Sequence, residues 1–499
     1  MRASVPRNSG DFGPLLAIAA AVALLHLLTN GRYGFHRDEL QFLCDARHLD
    51  WGFVSYPPLT PFLEHIGLSL FGLSLVGLRL FSVLAQSAAI VLTGLMAREL
   101  GGGRLAQIVA ASSVALSPLP MFEGTEFQYS SFDYLWWTLA AYAIVRVLRS
   151  GNRRWWLLAG AALGLGLETK YSIVFYIAGI FGALLLTKAR RNLLSGWLWA
   201  GSALALLLFL PNLIWLARHD FISYQFLQSI HTRDVGLGRT GGFFFDQFRI
   251  CVNLFAAPLW IGGLVWLLRS SRYRPLAWMY LIPFALFFLA KGRGYYLAGA
   301  YTMLLAAGAF AGECWLASLP RLGRRMAVAV YFTGLAAIGA YACAIILPLA
   351  SSGPLRQFAL DRNGDLREEI GWEELVKNVA EIRDSLPGSP SSIGIVVDNY
   401  GEQGAIEILG SAYHLPPPIS GVNSAWYRGY PTPPPNTYIV LGMSLEHGSE
   451  IFTSCRIAGH NGNAEGVRNE ESQFHPDILV CGPTRQPLPE LWEQALHFG

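Results

Sequence analysis

The stretch "GRYGFHRDELQFLCDARHLDWGFVSYPPL", residues 31–59, follows directly on the apolar run "PLLAIAAAVALLHLLT" at 14–29. A loop that only joins two membrane helices needs no order among its polar residues. This one opens with His36, Arg37, Asp38 and Glu39 together, continues at helical spacing and ends on Pro57 and Pro58. Phe35, Leu40, Phe42, Leu43, Ala46 and Leu49 favour one side, and Asp38, Glu39, Asp45, Arg47 and Asp50 mostly occupy the other. That spacing predicts an amphipathic helix lying in a membrane interface. Carboxylates at its first turn are favoured by unpaired N–H groups, so Asp38 and Glu39 both suit a helix start as well as chemistry. In "SYPPLTPFLEHIGLSLFG" (55–72) the double proline stiffens the chain and starts a second helix. Two such helices form a roof over a membrane core, with room beneath for an amphiphile's headgroup.

The rest of the chain fits that picture. Its 499 residues are 53% hydrophobic and only 14% charged, and the mean hydropathy is +0.37. Soluble domains carry about 25% charged residues. A net charge of +3 excludes nucleic acid as an expected partner. No cleavable leader is expected in "MRASVPRNSGDFG", because the apolar run behind it is long enough to remain as an anchor. Cys44, Cys251, Cys314 and Cys343 sit in or beside apolar segments and read as small core residues. Cys455 and Cys481 fall in the polar tail and could pair if that tail lies outside the cytoplasm.

A helix spans a bilayer with about 20 apolar residues, which gives about eleven candidate spans. They centre on 14–30, 76–97, 104–121, 131–148, 155–168, 171–187, 193–216, 248–268, 275–290, 294–316 and 326–348. "RVLRSGNRR" (146–154), "KARR" (188–191), "RSSRYR" (269–274) and "RLGRR" (321–325) fall at alternate loops of this count. The positive-inside rule makes them cytoplasmic, so loops 31–75, 119–130, 217–247 and 291–293 face outward, as does the tail. The expected organisation is a transmembrane domain over 1–348, whose outer loop 31–75 carries interfacial helices, and an extracytoplasmic α/β domain over 349–499. In the tail, "DLREEIGWEELVKNVAEIRDSL" reads as one amphipathic helix, and "SSIGIVVD", "TYIVLGM" and "DILVCG" as strands of a parallel sheet. "PPP" at 416–418 and 433–435 marks rigid loops.

An outer first loop opening on Asp-Glu and closing on a Pro-Pro-Leu hinge resembles the GT-C membrane glycosyltransferases. The nearest group is glycosyltransferase family 39, which includes protein O-mannosyltransferases and aminoarabinose transferases acting on lipid A. "FQYSSFDYLWWTLAAYAIVRVL", "RWWLLAGAALGLGLETKYS", "FLPNLIW" and "KGRGYYLAGAYTMLLAAGA" agree with it. "GWEELV", "NYGEQGA" and "ISGVNSAWYRG" resemble the soluble extension of a bacterial subgroup. The resemblance implies a mostly α, GT-C type helix bundle with a small C-terminal α/β domain. It implies a multi-pass enzyme of the cell inner (cytoplasmic) membrane that moves a sugar from a polyprenyl-phosphate-linked donor. The acceptor is a lipid, polysaccharide or protein on the outer face, and membrane lipids are further partners.

Such transfer needs a base for the acceptor hydroxyl and cations for the leaving phosphate. The resemblance gives Asp38 the role of base. Glu39 suits either a supporting or a capping role. Asp133, at the outer entrance of a span, is a second acidic candidate because a lone carboxylate there is costly without a role. Lys291 and Arg293, followed by Tyr295, suit the donor phosphate; snorkelling at a helix end is their plainer alternative. Lys170 either pairs with Glu168 or joins that phosphate site. Glu123 and Glu126 fit a solvated loop. Some relatives carry an acid before the hinge, in patterns such as Glu-Lys-Pro. Here Ser55 and Tyr56 stand there, His36, His48 and His65 lack ligand spacing, and no metal or cofactor is expected. "DNYGEQGA" (398–405) lacks a dinucleotide-loop spacing. Trp372, Tyr400, Glu402, Asn423 and Trp426 suit carbohydrate or a domain core equally. A transporter or flippase of lipid-linked sugars is the rival class, and a non-catalytic lipid-binding relative a third. Transporters gather charges near the midplane, whereas here they gather at the outer border.

Overall fold

A computed structural model of the protein describes residues 12–387 and 392–499. Most of the N-terminal stretch expected to lack a leader, residues 1–11, lies outside the described residues. By internal contacts the chain forms two compact units. One comprises residues up to Asn30, Arg79–Asp220 and His231–Leu349; the other comprises Gly31–Leu78, Phe221–Ile230 and Ala350–Gly499.

The first unit is helical, and each of the eleven apolar segments holds a helix. Among the described residues, Leu75–Glu99, Gly196–Arg218, Gly294–Ala317 and Arg321–Ile346 are long and apolar enough to cross a membrane. The count rises to six if the bent pairs Ile173–Leu186 with Lys188–Leu194 and Phe243–Arg249 with Leu254–Arg269 are single spans. Gly13–Thr29, Trp155–Leu167 and Arg274–Leu289 are apolar but shorter. Two small residues one turn apart allow close approach of backbones in such bundles. Here the Trp155–Leu167 helix meets Gly196–Arg218 through Gly160 and Gly201. A Cβ on Gly160 would lie 2.0 Å from the Gly201 carbonyl oxygen.

The second unit is built on a four-stranded sheet of order β1-β2-β4-β3, with β1 Ile393–Val397, β2 Thr437–Leu441, β3 Arg456–His460 and β4 Asp477–Cys481. Only β1 and β2 run parallel; β4 pairs antiparallel with both β2 and β3. The expected all-parallel sheet is therefore mixed. The missed strand β3 is the reason: it is a largely exposed edge, irregular between Ile457 and Gly459, and it lacks an apolar run. The Cys455–Cys481 disulfide joins the start of β3 to the end of β4. The long helix expected near 365–386 is broken into Gly364–Arg367 and Trp372–Ser385. Gly371, at φ 103°, sits in a left-handed conformation between them that most side chains avoid.

The apolar core of this unit takes residues from both ends of the chain. Phe35, Leu40 and Leu43 pack in one cluster with Leu375, Val379, Ile395, Ile439 and Val480. The Arg37–Arg47 helix is consequently covered on its polar side as well. Glu39 and Asp45 are only 1% and 2% exposed, so the expected half-exposed interfacial helix is instead an internal one. Its cover is the Tyr400–Leu409 helix. A Cβ on Gly404 would lie 2.6 Å from the Leu40 Cβ, so the glycines of "NYGEQGA" serve helix contact.

Candidate active site

In the second unit, the site grows from how the Arg37–Arg47 helix begins. His36 is its N-cap: the imidazole Nδ1 accepts the Asp38 N–H at 3.2 Å. Glu39 Oε2 accepts the His36 N–H at 2.8 Å, completing a capping box. The capping work thus falls to His36 and Glu39. The Asp38 carboxylate is engaged elsewhere: Tyr400 donates its hydroxyl to Oδ1 at 2.9 Å. Burial holds the Tyr400 phenol well above its usual range, against the Arg37 charge, so the proton in this bond stays on Tyr400. The Arg37 guanidinium lies 4.5 Å from the centre of the Tyr400 ring and pairs with Glu470 and Glu471. Asp38 itself is half-buried, as access for an incoming hydroxyl requires.

Behind this helix start lies an acid network. Asp45 accepts the Tyr56 hydroxyl at 2.5 Å and Arg428 Nη2 at 2.6 Å. Arg428 Nη1 also reaches Glu407 at 2.8 Å, and His48 holds the other Glu407 oxygen at 2.9 Å. Burial pushes Asp45 up to about 6 although Arg428 and Tyr56 oppose the shift. Tyr56, the residue just before the Pro57–Pro58 hinge, is thus tied to the Arg37–Arg47 helix through Asp45. Glu64 is fully buried, and neither of its oxygens has a hydrogen-bond partner among the described residues. Burial, with the nearby Glu39 and Asp45 charges, holds it well above the usual carboxylate range.

The first unit carries the expected phosphate residues. Lys170 Nζ lies 4.3 Å from the Tyr296 ring centre, 5.0 Å from Tyr129 and 5.4 Å from Tyr295. No ion pair joins Lys170 to a carboxylate among the described residues, so its pairing with Glu168 gives way to this aromatic surround. Arg293 is committed differently: Nε and Nη2 each donate to Asp234 at 2.7 Å, a two-bond fork. Its Nη1 stands 3.5 Å from the Tyr295 hydroxyl. Lys291 is exposed and, at φ 50°, occupies the left-handed position that ends the Arg274–Leu289 helix. There Gly292 N–H bonds Phe287 O and Lys291 N–H bonds Phe288 O, a Schellman pattern in which glycine is the usual residue. Asp133 is buried and accepts Trp137 Nε1 at 3.0 Å. Glu123 and Glu126 are buried rather than solvated; Ser131 donates to Glu123 at 3.1 Å. Burial pushes Glu123 up to about 7, with the Lys170 charge opposing.

Residues 55–215 match the family model for dolichyl-phosphate-mannose-protein mannosyltransferase. Apo ArnT from Cupriavidus metallidurans has the same fold at TM-score 0.57, 13% identity and coverage of 94% of this chain and 97% of that one. The family match thus covers residues 55–215, and the likeness to ArnT is one of fold. Lipid A galacturonosyltransferase RgtD of Rhizobium johnstonii is 28% identical over 54% of this chain and 57% of its own length. Undecaprenyl phosphate-alpha-4-amino-4-deoxy-L-arabinose arabinosyl transferase 1 of Sodalis glossinidius is 27% identical over 62% of this chain and 60% of its own. The matched part is thus little more than half the length of these curated relatives. Sequence reasoning missed Asp234, Glu64, Glu407 and Arg428. Of the suggested carbohydrate contacts, Trp372 is core, while Trp426 donates to the Trp492 carbonyl at 2.8 Å.

Proposed function

We propose that this chain moves a sugar from a polyprenyl-phosphate donor to an acceptor hydroxyl on the outer face of the membrane, with Asp38 as general base. The observation that carries this reading is the division of labour at the helix start. His36 and Glu39 make the cap, and Asp38 is left half-buried with its carboxylate aligned by a protonated Tyr400. A carboxylate needed only to begin the helix has no use for that phenol. The acceptor oxygen attacks the anomeric carbon while Asp38 takes its proton; the bond from that carbon to the phosphate oxygen breaks, and the phosphate leaves with the electron pair. Lys170, Lys291, Arg293 and Tyr295 are assigned to the donor phosphate, and Lys170 carries most of that role because two of the Arg293 donors are already taken by Asp234, which Arg239 shares. Asp133 is kept as a supporting acid.

About eleven spans, a cytoplasmic face at each basic loop and an extracytoplasmic tail complete the proposal. The Cys455–Cys481 bond supports that side for the tail, since disulfides persist in oxidising compartments. The test is transfer by purified protein from a polyprenyl-phosphate sugar. Asp38→Asn keeps size and the Tyr400 bond but cannot accept a proton, and turnover should fall by about 10²–10⁴-fold with donor binding retained. Glu39→Gln should be milder. Near-parental turnover by Asp38→Asn removes the base from the mechanism.

A further inference from the structure

The second unit holds a cavity of about 390 Å³ that the proposed transfer chemistry does not use. It lies at the carboxyl ends of the parallel pair, where Asp398 follows β1 and Gly442 and Ser444 follow β2; His447, Phe474, His475 and Asp477 complete its wall. The carboxyl ends of parallel strands are where open α/β sheets present ligand sites.

Its chemistry narrows the occupant. The lining holds two carboxylates, two imidazoles and a hydroxyl but no lysine or arginine, so hydroxyl and amine donors are matched and phosphate is not. The Phe474 ring is 63% exposed and gives the flat apolar surface on which a sugar's C–H face stacks. His497 braces Asp398, with Nε2 2.8 Å from its carbonyl oxygen and 3.5 Å from Oδ1. Behind the floor stands Glu402, 1% exposed, whose Oε2 has no hydrogen-bond partner among the described residues. A Cβ on Gly442 would lie 2.8 Å from that oxygen and 2.9 Å from the Asp398 Cβ. Only glycine leaves the way to this carboxyl open, and its φ of +78° also disfavours other residues. Burial, with the nearby Glu471 and Asp398 charges, holds Glu402 well above the usual carboxylate range.

We infer that this cavity is a second binding site, taking an uncharged or amine-bearing pyranose of the acceptor glycan and rejecting a phosphorylated one. That the sugar belongs to the acceptor rests on the proposed transferase function; the binding does not. The test uses the full-length protein in lipid nanodiscs, free of sugar-headed detergent, titrated with glucosamine and with glucosamine 6-phosphate by saturation-transfer NMR and calorimetry. Glucosamine should bind saturably, and the phosphate at least about tenfold more weakly, since two carboxylates and no lysine or arginine line the site. Phe474→Ala, a surface change, and Asp398→Asn should each weaken glucosamine by about tenfold, the worth of one stacking or hydrogen-bond contact. Asp38→Asn should bind glucosamine as the parent does, so loss of transfer and loss of sugar binding report on separate proposals. Absence of saturable binding at tens of millimolar, equal binding of the phosphate, or parental affinity in both cavity variants overturns the inference.

Discussion

Replacing Arg428 with Met strips Asp45 of the guanidinium that pairs with it among the described residues and leaves a carboxyl that is 2% exposed. Breaking a buried pair from one side typically costs about 3–5 kcal/mol. The Arg428 side chain is 20% exposed and Tyr56 still donates to Asp45, so the lower end, about 3 kcal/mol, applies. At about 1.4 kcal/mol per pH unit, that moves the Asp45 titration upward by about two units. It already stands at about 6, so the variant titrates near 8. A carboxyl whose folded pKa is raised binds more protons folded than unfolded. Its stability is therefore greatest below the unfolded value and falls as pH rises through the folded one. In the parent that decline is complete a little above pH 6; in Arg428→Met it continues to about pH 8 to 9. The Asp45 part of the penalty should thus be about 3 kcal/mol at pH 9 and should shrink towards zero near pH 5, leaving the smaller part from the lost Glu407 pair, which does not titrate in that window. Hydrogen exchange of the Arg37–Arg47 and Tyr400–Leu409 amides reads it as local opening, about 150-fold more frequent at high pH. Adding Asp45→Asn should recover most of the loss. A penalty that is the same at pH 5 and pH 9 refutes the argument, because it would then come from packing or from Glu407 and not from Asp45.

Lys170→Gln should raise the apparent donor KM by about tenfold to a hundredfold with a smaller change in kcat, the loss of 1.5–3 kcal/mol of charge-assisted bonding. Arg293→Ala removes the two-bond fork to Asp234 but leaves that carboxylate paired with Arg239 at 3.6 Å, so donor KM should rise less than in Lys170→Gln; titration of donor affinity decides. Cys455→Ser should lower the stability of the second unit by about 3 kcal/mol, from a closed loop of 26 residues. The freed Cys481 thiol should label with impermeant reagents in intact cells after mild denaturation, and labelling only after lysis refutes the outward tail.

The helices and three of the four strands were legible because they bury continuous apolar faces, which a periodicity exposes. β3 was not, since an exposed edge strand carries no such pattern. Asp38 and Glu39 were legible as a pair through their position at a helix start, but local spacing suits both to capping, and only the resemblance set Asp38 apart. In the fold their separation depends on Tyr400, 362 residues away. Arg293 was found as a cation, while Asp234, 59 residues upstream and on a helix in a loop read only as outward-facing, was not. Arg428 meets Asp45 across 383 positions. Partners that distant leave no trace in local spacing, because only the folded chain brings their charges together.

Leu43 and Leu375 share one core although about 330 residues separate them. A ribosome adding roughly 5–20 residues per second needs on the order of half a minute to cover that distance. Through that interval the Arg37–Arg47 helix has been made but the strands that cover it have not. Its apolar side must be sheltered by a chaperone or by the bilayer surface while the remaining helices insert. The order of biogenesis follows: the bundle is threaded first, and the first loop closes only when the last part of the chain arrives. An early stop anywhere before the final strand then leaves more than a missing tail, because the opening loop loses the surface on which it folds.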